Sequence, residues 1–249
     1  MSILLAIPCF NEAARLPVYL PRLLEELAAG DLPVVVEVVD DGSTHEEQRA
    51  MAQLVESLRK DHPFLRPLRS LPQNRGKGGA VHAAWSAADD SHNWLAFVDA
   101  DGSLSPSETR RFLANLLQTP QTCSWFASRI RMLGHHIDRH LSRHLIGRVF
   151  ATLVGIMIDG RVYDSQCGLK AIPASHYRMI RGWLVETRFA FDVELLAALA
   201  HANLEIREFP VDWSDVAGSK VRVFRDTLSM FNALLRIRKN RTAWPAHNT

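Results

Sequence analysis

Residues 94–103 read WLAFVDADGS, five apolar residues running straight into Asp99-Ala100-Asp101-Gly102. A short apolar run stopped by Asp and Gly is the pattern of a buried strand entering a tight turn. Two earlier runs have the same form. ILLAIP at 3–8 leads into Pro8-Cys9-Phe10-Asn11-Glu12, and VVVEVV at 34–39 leads into Asp40-Asp41-Gly42-Ser43. Further β-rich runs lie at 65–70 and 123–128, with helical patterns between the runs at 13–28, 45–60, 76–88 and 106–118. Strands alternating with helices imply an α/β fold with a mainly parallel sheet flanked by helices. Thr44 with Glu47, and Ser105 with Pro106 and Glu108, mark two helix starts as capping boxes, and Gly30 suits the end of the first helix.

The second half is less regular. A helical stretch from Asp138 to Ile158 leads into the loop DGRVYDSQCG at 159–168. A strand at 169–172, a helix at 191–202, a strand at 204–211 and a last helix at 225–239 follow. Nothing resembles a linker, so the reading is a single domain over 1–241 with a disordered tail at 242–249. The last helix is read as basic and amphipathic. Leu228, Phe231, Leu234 and Leu235 lie on one side, with Arg225, Arg236, Arg238 and Lys239 around it. A solvated basic face and contact with anionic membrane both fit that pattern.

Composition narrows the class. With 249 residues, 47% hydrophobic and 22% charged, the chain can bury a substantial core. A net charge of +2 does not mark a general polyanion binder, although the positive charge gathers in the second half. Three scattered cysteines suit a reducing compartment better than a disulfide scaffold. The longest apolar stretch, Val149 to Ile158, is about half of what a bilayer span needs. The expectation is therefore a cytoplasmic protein with no spanning anchor, peripheral at the cytoplasmic membrane face.

Ligands of parallel α/β sheets sit beyond the carboxyl ends of the strands, where the three polar clusters fall. Any one of them reads equally well as an ordinary turn. Together they do not, because Asp99 and Asp101 straddle one residue and can face the same point. Two carboxylates plus diphosphate oxygens make a hard oxygen site suited to Mg²⁺ or Mn²⁺. Gly76-Lys77-Gly78-Gly79 opens the third helix, where Lys77 and a helix N-terminus could help hold a diphosphate, although the spacing matches no phosphate-loop motif. A tight turn with close helix packing explains the same glycines. His136, His140 and His144 recur at four-residue spacing, but Arg139, Arg143 and Arg148 beside them favour a phosphate-facing surface over zinc. Cys167 reads as a packing residue.

IPCFNE, VVDDGS and FVDADGS, in this order at strand ends, resemble the family-2 glycosyltransferases of the GT-A fold. NRGKGGAV, DSQCGLKAI, RFAFDVELL and the late GSK tripeptide are more specifically similar to the polyprenyl-phosphate hexosyltransferases, and within them to the dolichyl-phosphate β-glucosyltransferases. The resemblance implies roles. Pro8, Phe10 and Glu12 would line the nucleobase pocket, Asp41 would read the base edge, and Asp40 would contact base or ribose. Asp99 and Asp101 would hold metal and diphosphate. Arg129 would lie near the donor phosphates and the acceptor, Arg143 and Lys220 would bind phosphate, and Asp164 would belong to an active-site loop.

The implied reaction is inverting transfer of a hexose, glucose favoured, from a nucleoside-diphosphate sugar to a polyprenyl phosphate. A lipid monophosphate, with a second pKa of about 6, is already largely anionic at neutral pH and needs cations rather than a base. A hydroxyl acceptor would need a carboxylate within reach, for which Asp164, Asp192 and Glu194 are the candidates. A soluble glycan-directed transferase, a nucleotidyltransferase and a silent nucleotide-sugar or membrane-binding module are the competing readings. The nucleotidyltransferase lacks its expected Gly-rich arginine loop, and intact Asp99 and Asp101 argue against the silent module.

Overall fold

The computed structural model describes residues 1–130, 137–138, 162–214 and 223–245, with the side chains of 137–138 and 223–229 left aside. The expected helix from Asp138 to Ile158, the histidine triplet, Arg143 and Lys220 lie almost wholly outside the described residues. So does the GSK tripeptide.

The sequence folds as the strand–helix alternation requires. Strands β1 (Ile3–Cys9), β2 (Val34–Asp40), β3 (Arg69–Ser70) and β4 (Trp94–Val98) alternate with helices α1 (Leu16–Ala29), α2 (His45–Leu58) and α3 (Lys77–Ser86). Helix α4 (Pro106–Leu117), β5 (Cys123–Ser128), the two-residue β6 (Ile137–Asp138), β7 (Leu169–Pro173) and α5 (Ala174–Ile180) follow. Helix α6 (Phe191–His201), β8 (Glu205–Pro210), the short β9 (Trp213–Ser214) and α7 (Val223–Arg241) complete the chain. Seven strands make the main sheet in the order β3-β2-β1-β4-β7-β5-β8, and β6 pairs with β9 apart from it. Every neighbour in the main sheet is parallel except β7, which runs antiparallel to both β4 and β5.

The alternation of side chains along the strands builds two apolar layers. Ile3, Leu5, Ile7, Trp94, Ala96 and Val98 face α1 and α4, where Leu20, Leu23, Leu24 and Phe112 are fully buried. Leu4, Ala6, Leu95 and Phe97 face the other way, toward Val81, Trp85, Phe191 and Leu195 on α3 and α6. Successive strands leave β1 first toward β2 and then toward β4, so the sheet reverses its order at β1/β4. That reversal opens a crevice at the carboxyl edge.

The helix starts are only half as expected. The Thr44 and Ser105 hydroxyls accept the N–H groups of Glu47 and Glu108. The glutamates serve elsewhere, however: Glu47 accepts the Ala13 N–H at 2.8 Å, and Glu108 accepts from Arg111 and the Asp212 N–H. Gly30 caps α1, with the left-handed residue being Asp31.

The last helix departs from its expected face. Ala233, Leu234 and Ile237 are buried against the α3/α6 layer, whereas Phe231 and Leu235 are 44% and 52% exposed. Leu234 is thus on the core side and the other two are not, because a stripe at 233, 234 and 237 is the one that meets α6. Trp244, read as part of a tail, is buried and stacks on Trp183 with ring centroids 5.5 Å apart, since a large indole finds an apolar shelf there.

Candidate active site

A cleft of about 390 Å³ opens at the carboxyl ends of β1 and β4, within the range of small-ligand sites. Its walls come from the three polar clusters together with the turn before α3 and the loop before α6. Pro8, Phe10, Glu12, Asp41, Lys77, Asp99 and Asp101 all line it. Seven of the sequence-derived site residues therefore meet in one cavity, as the strand ends require.

The β1 and β2 turns are locked to each other. Asn11, at a left-handed φ of 53°, receives the Thr44 N–H on its side-chain oxygen and donates its own N–H to Ser43 at 2.8 Å. Glu12 is held by Arg15. The Asp41 carboxylate accepts the N–H groups of Arg75 and Gly76 at 2.8 and 2.7 Å, fixing the turn that starts α3. Burial pushes the Asp41 carboxyl above its ordinary range, partly offset by those two bonds. Its remaining lone pairs still border the cleft. Asp40 is placed differently from the expectation of base or ribose contact. It is fully buried, and its oxygens accept from the Ser43 N–H and from Gln48. A strand-terminal Asp at this register points behind the turn, and it caps that turn instead of facing a ligand.

Asp99 and Asp101 both reach the cleft. Asp101 accepts the Ser103 N–H at 2.9 Å, with Gly102 at a positive φ of 75° closing the turn. Burial raises the Asp99 carboxyl above its usual range and Asp101 adds to the rise, while Lys77 opposes it. The Lys77 ammonium lies 2.9 Å from Asp99 Oδ1 and 3.2 Å from Asp192 Oδ2. Burial alone would lower the Lys77 pKa, but the two carboxylates outweigh it and keep the amine charged. Among the described residues, no group of three or more His, Cys, Asp or Glu side chains could hold a metal alone. Asp99 and Asp101 could hold a divalent ion if further oxygens, such as those of a diphosphate, completed a hard donor set.

The antiparallel β7 explains why DSQCG belongs here. Pairing Val98 with Leu169 brings Cys167 and Gly168, which precede the strand, to the carboxyl edge beside Asp99. Asp164, further back in the same loop, is joined to Arg129 at the end of β5 by bonds of 2.6 and 2.8 Å. Burial alone would raise the Asp164 carboxyl, but Arg129 holds it well below the usual range. Neither residue lines the cleft, although Arg129 is close enough to feel the Asp99 charge. Burial pushes the Cys167 thiol up to about 12, consistent with packing and not with nucleophilic use.

Three residues at or behind the cleft were given no role in the sequence reading, although Lys170 and Arg188 fall inside the quoted DSQCGLKAI and RFAFDVELL. Lys170, on β7, is fully buried with its ammonium 2.6 Å from Asp192 Oδ1. Its signal was available, since a lone lysine inside the apolar strand LKAIP must find an anion. Arg15 and Arg188, unlike Lys170, line the cleft. Arg188 comes from a loop that crosses the start of α3, where Gly79 donates its N–H to the Thr187 carbonyl at 2.8 Å, and no local pattern announces that contact.

A family model described as "Glycosyl transferase family 2" matches residues 5–181. The dolichyl-phosphate beta-glucosyltransferase of Dictyostelium discoideum is 30% identical over 242 residues, covering 93% of this chain and 72% of that protein. The enzyme of the same name from Drosophila melanogaster is 31% identical over 244 residues, covering 93% and 72%. Among solved structures, glucosyl-3-phosphoglycerate synthase from Mycobacterium tuberculosis, with Mn²⁺, uridine diphosphate and glucosyl-3-phosphoglycerate, superposes with a TM-score of 0.66. That match is 14% identical and covers 98% of this chain and 81% of the other, a likeness of fold.

Proposed function

The chain belongs to glycosyl transferase family 2, and from that premise we propose that it moves a hexose from a nucleoside-diphosphate sugar to a polyprenyl phosphate. The observation that carries the reading is the meeting of Asp41, Lys77, Asp99 and Asp101 around one cleft at the β1/β4 crevice. Pro8, Phe10 and Glu12 would hold the base, with Asp41 at its edge, and Lys77 and Arg188 would meet the diphosphate. A bound Mg²⁺ or Mn²⁺, held by Asp99 and Asp101, would supply Lewis-acid neutralisation of the departing diphosphate. Preorganised charge of this kind is usually the largest part of catalysis. Attack from the opposite face of the sugar turns an α-linked donor into a β-linked product.

The state of the carboxylates supports this acceptor. Asp164 is bound to Arg129, and Asp192 to Lys170 and Lys77. Glu194, fully buried, accepts the N–H groups of Val185 and Glu186. None is placed as a base for a sugar hydroxyl. A phosphate monoester needs none, and Arg129 can orient it through charge-assisted bonds. The sequence reading adds Arg143 and Lys220 to that acceptor site, both outside the described residues. No helix among the described residues is long and apolar enough to cross a membrane. We further infer, from the basic excess of the second half, that the lipid would be met at the cytoplasmic membrane face.

A donor screen with a short polyprenyl phosphate, read by mass spectrometry, tests the assignment. UDP-glucose should outperform GDP-mannose, and Asp101→Asn should abolish metal-stimulated transfer while leaving the fold intact. Transfer to a soluble sugar, with none to polyprenyl phosphate under matched conditions, would defeat the lipid acceptor. Tighter GDP than UDP binding would reverse the donor.

A further inference from the structure

Four charged side chains form a row of alternating sign that runs from the core to the cleft wall. Lys170 donates to the Cys167 carbonyl at 2.7 Å and to Asp192 Oδ1 at 2.6 Å. Asp192 Oδ2 lies 3.2 Å from the Lys77 ammonium, which in turn lies 2.9 Å from Asp99 Oδ1. Lys170 and Asp192 are immobile members, on a central strand and in the first turn of α6, and both are almost fully buried. Lys77 differs, because its ammonium ends a flexible stem rooted at the cleft, where it also sits 4.6 Å from the Phe97 ring centroid.

A divalent ion on Asp99 and Asp101 must share the Asp99 carboxylate with the ammonium of Lys77, and the two cations repel. A diphosphate in the same cleft offers that ammonium another anion within reach. We propose that Lys77 is an exchangeable counter-ion, passing from Asp99 to the donor diphosphate while tethered to Asp192, so that metal binds tightly only together with nucleotide. Lys170 and Asp192 are positioning residues in this scheme: they keep the ammonium at the cleft wall through the exchange. The proposal rests on the donor reading above and adds an order to it.

Calorimetry with Mn²⁺ and UDP, each alone and each in the presence of the other, tests it without turnover. Wild-type protein should bind Mn²⁺ at least roughly 100-fold tighter with UDP than without. Lys77→Met keeps the stem and removes the charge. It should bind Mn²⁺ alone at least roughly 10-fold tighter than wild type, bind UDP alone more weakly, and lose the part of the coupling that exceeds direct ligation of the metal by the diphosphate. Lys77→Gln should behave in the same way, and thermal unfolding confirms that each variant is folded. If folded Lys77→Met and Lys77→Gln bind Mn²⁺ alone no tighter than wild type, while UDP still binds, the exchange is overturned and the donor site stands. Equal Mn²⁺ affinity with and without UDP in the wild type overturns it without recourse to a variant. Failure of the wild type to bind UDP would overturn the donor reading and the exchange together.

Discussion

Gly168 is packed against Asp99: its carbonyl accepts the Asp99 N–H at 2.9 Å, and a Cβ at position 168 would overlap the Asp99 carboxylate. The last residue of DSQCG thus shapes the carboxylate of DADG, two motifs 65 residues apart that the antiparallel β7 brings edge to edge. Gly168→Ala should displace the Asp99 side chain. Forcing a methyl into a packed site costs about 1–3 kcal/mol. Metal-stimulated turnover should fall by roughly 100-fold, as when one preorganised charge is moved. Steady-state kinetics beside urea unfolding separate the two effects, and an alanine variant with wild-type turnover would refute the contact.

Arg129 and Asp164 form a largely buried pair, and removing one partner takes a two-pronged countercharge from the other. Arg129→Ala should cost about 3–5 kcal/mol of stability and raise the KM for the proposed lipid-phosphate acceptor far more than the KM for the proposed donor. Arg129→Lys should recover only part of both, since lysine lacks the two-pronged geometry. Because the Asp164 carboxyl is depressed in the folded chain, its stabilisation is complete above the unfolded value of about 3.9 and drains away as pH falls below it. Asp164→Asn should flatten that acid limb in unfolding experiments. An unchanged limb would assign acid sensitivity to other groups.

Much of this was legible because local and global signals agree. The apolar runs ending in PCFNE, DDGS and DADG dictate strands with polar carboxyl ends, and a parallel sheet can only gather those ends along one edge. Asp40 was not separable from Asp41 in the sequence, because adjacent carboxylates at a strand end point to opposite sides, and only the register decides which borders the cleft. The face of α7 was misread for a related reason. Phe231, Leu234 and Leu235 share a helical arc, and the neighbour that takes part of it, α6, is not written in the helix. Arg188 depends on a loop crossing the start of α3, a contact between distant segments with no periodicity to betray it.

Glu194 introduces a second pH dependence, of opposite sign. Burial, against the two backbone N–H bonds, pushes its carboxyl up to about 7 from an ordinary 4.5. Below the lower value both folded and unfolded chains carry the proton, and no stability is lost. Between the two values only the unfolded chain releases it, so stability falls as pH rises, by up to about 3 kcal/mol, and stays lower above. Glu194→Gln retains an oxygen for Val185 and Glu186 and should remove that decline. Urea unfolding at about pH 5 and about pH 8 checks it. A decline of equal size in the variant would place its origin elsewhere.

The exposed arc of α7 predicts how the protein would reach the proposed lipid acceptor. Phe231 and Leu235 stand one turn apart on the solvent side, with Arg238 and Lys239 exposed beside them. Arg236 is different: it is tied to Glu186 by bonds of 2.8 and 3.0 Å, so its charge belongs partly to the fold. Apolar side chains bordered by cations on one helix face suit the headgroup boundary of an anionic membrane. Replacing Phe231 and Leu235 with serine should weaken sedimentation with phosphatidylserine vesicles at all salt concentrations, because the apolar part is not screened. Replacing Arg238 and Lys239 with glutamine should weaken it chiefly at low salt, where the Debye length is about 30 Å at 0.01 M. Neither pair should lower the unfolding temperature by more than a few degrees, since exposed side chains contribute about 0.5 kcal/mol or less. Arg236→Gln should do the opposite, destabilising the link to Glu186 while leaving vesicle binding nearly intact. If the Phe231/Leu235 and Arg238/Lys239 variants both sediment like the wild type, α7 only covers the α6 layer, and a lipid acceptor would have to approach another surface.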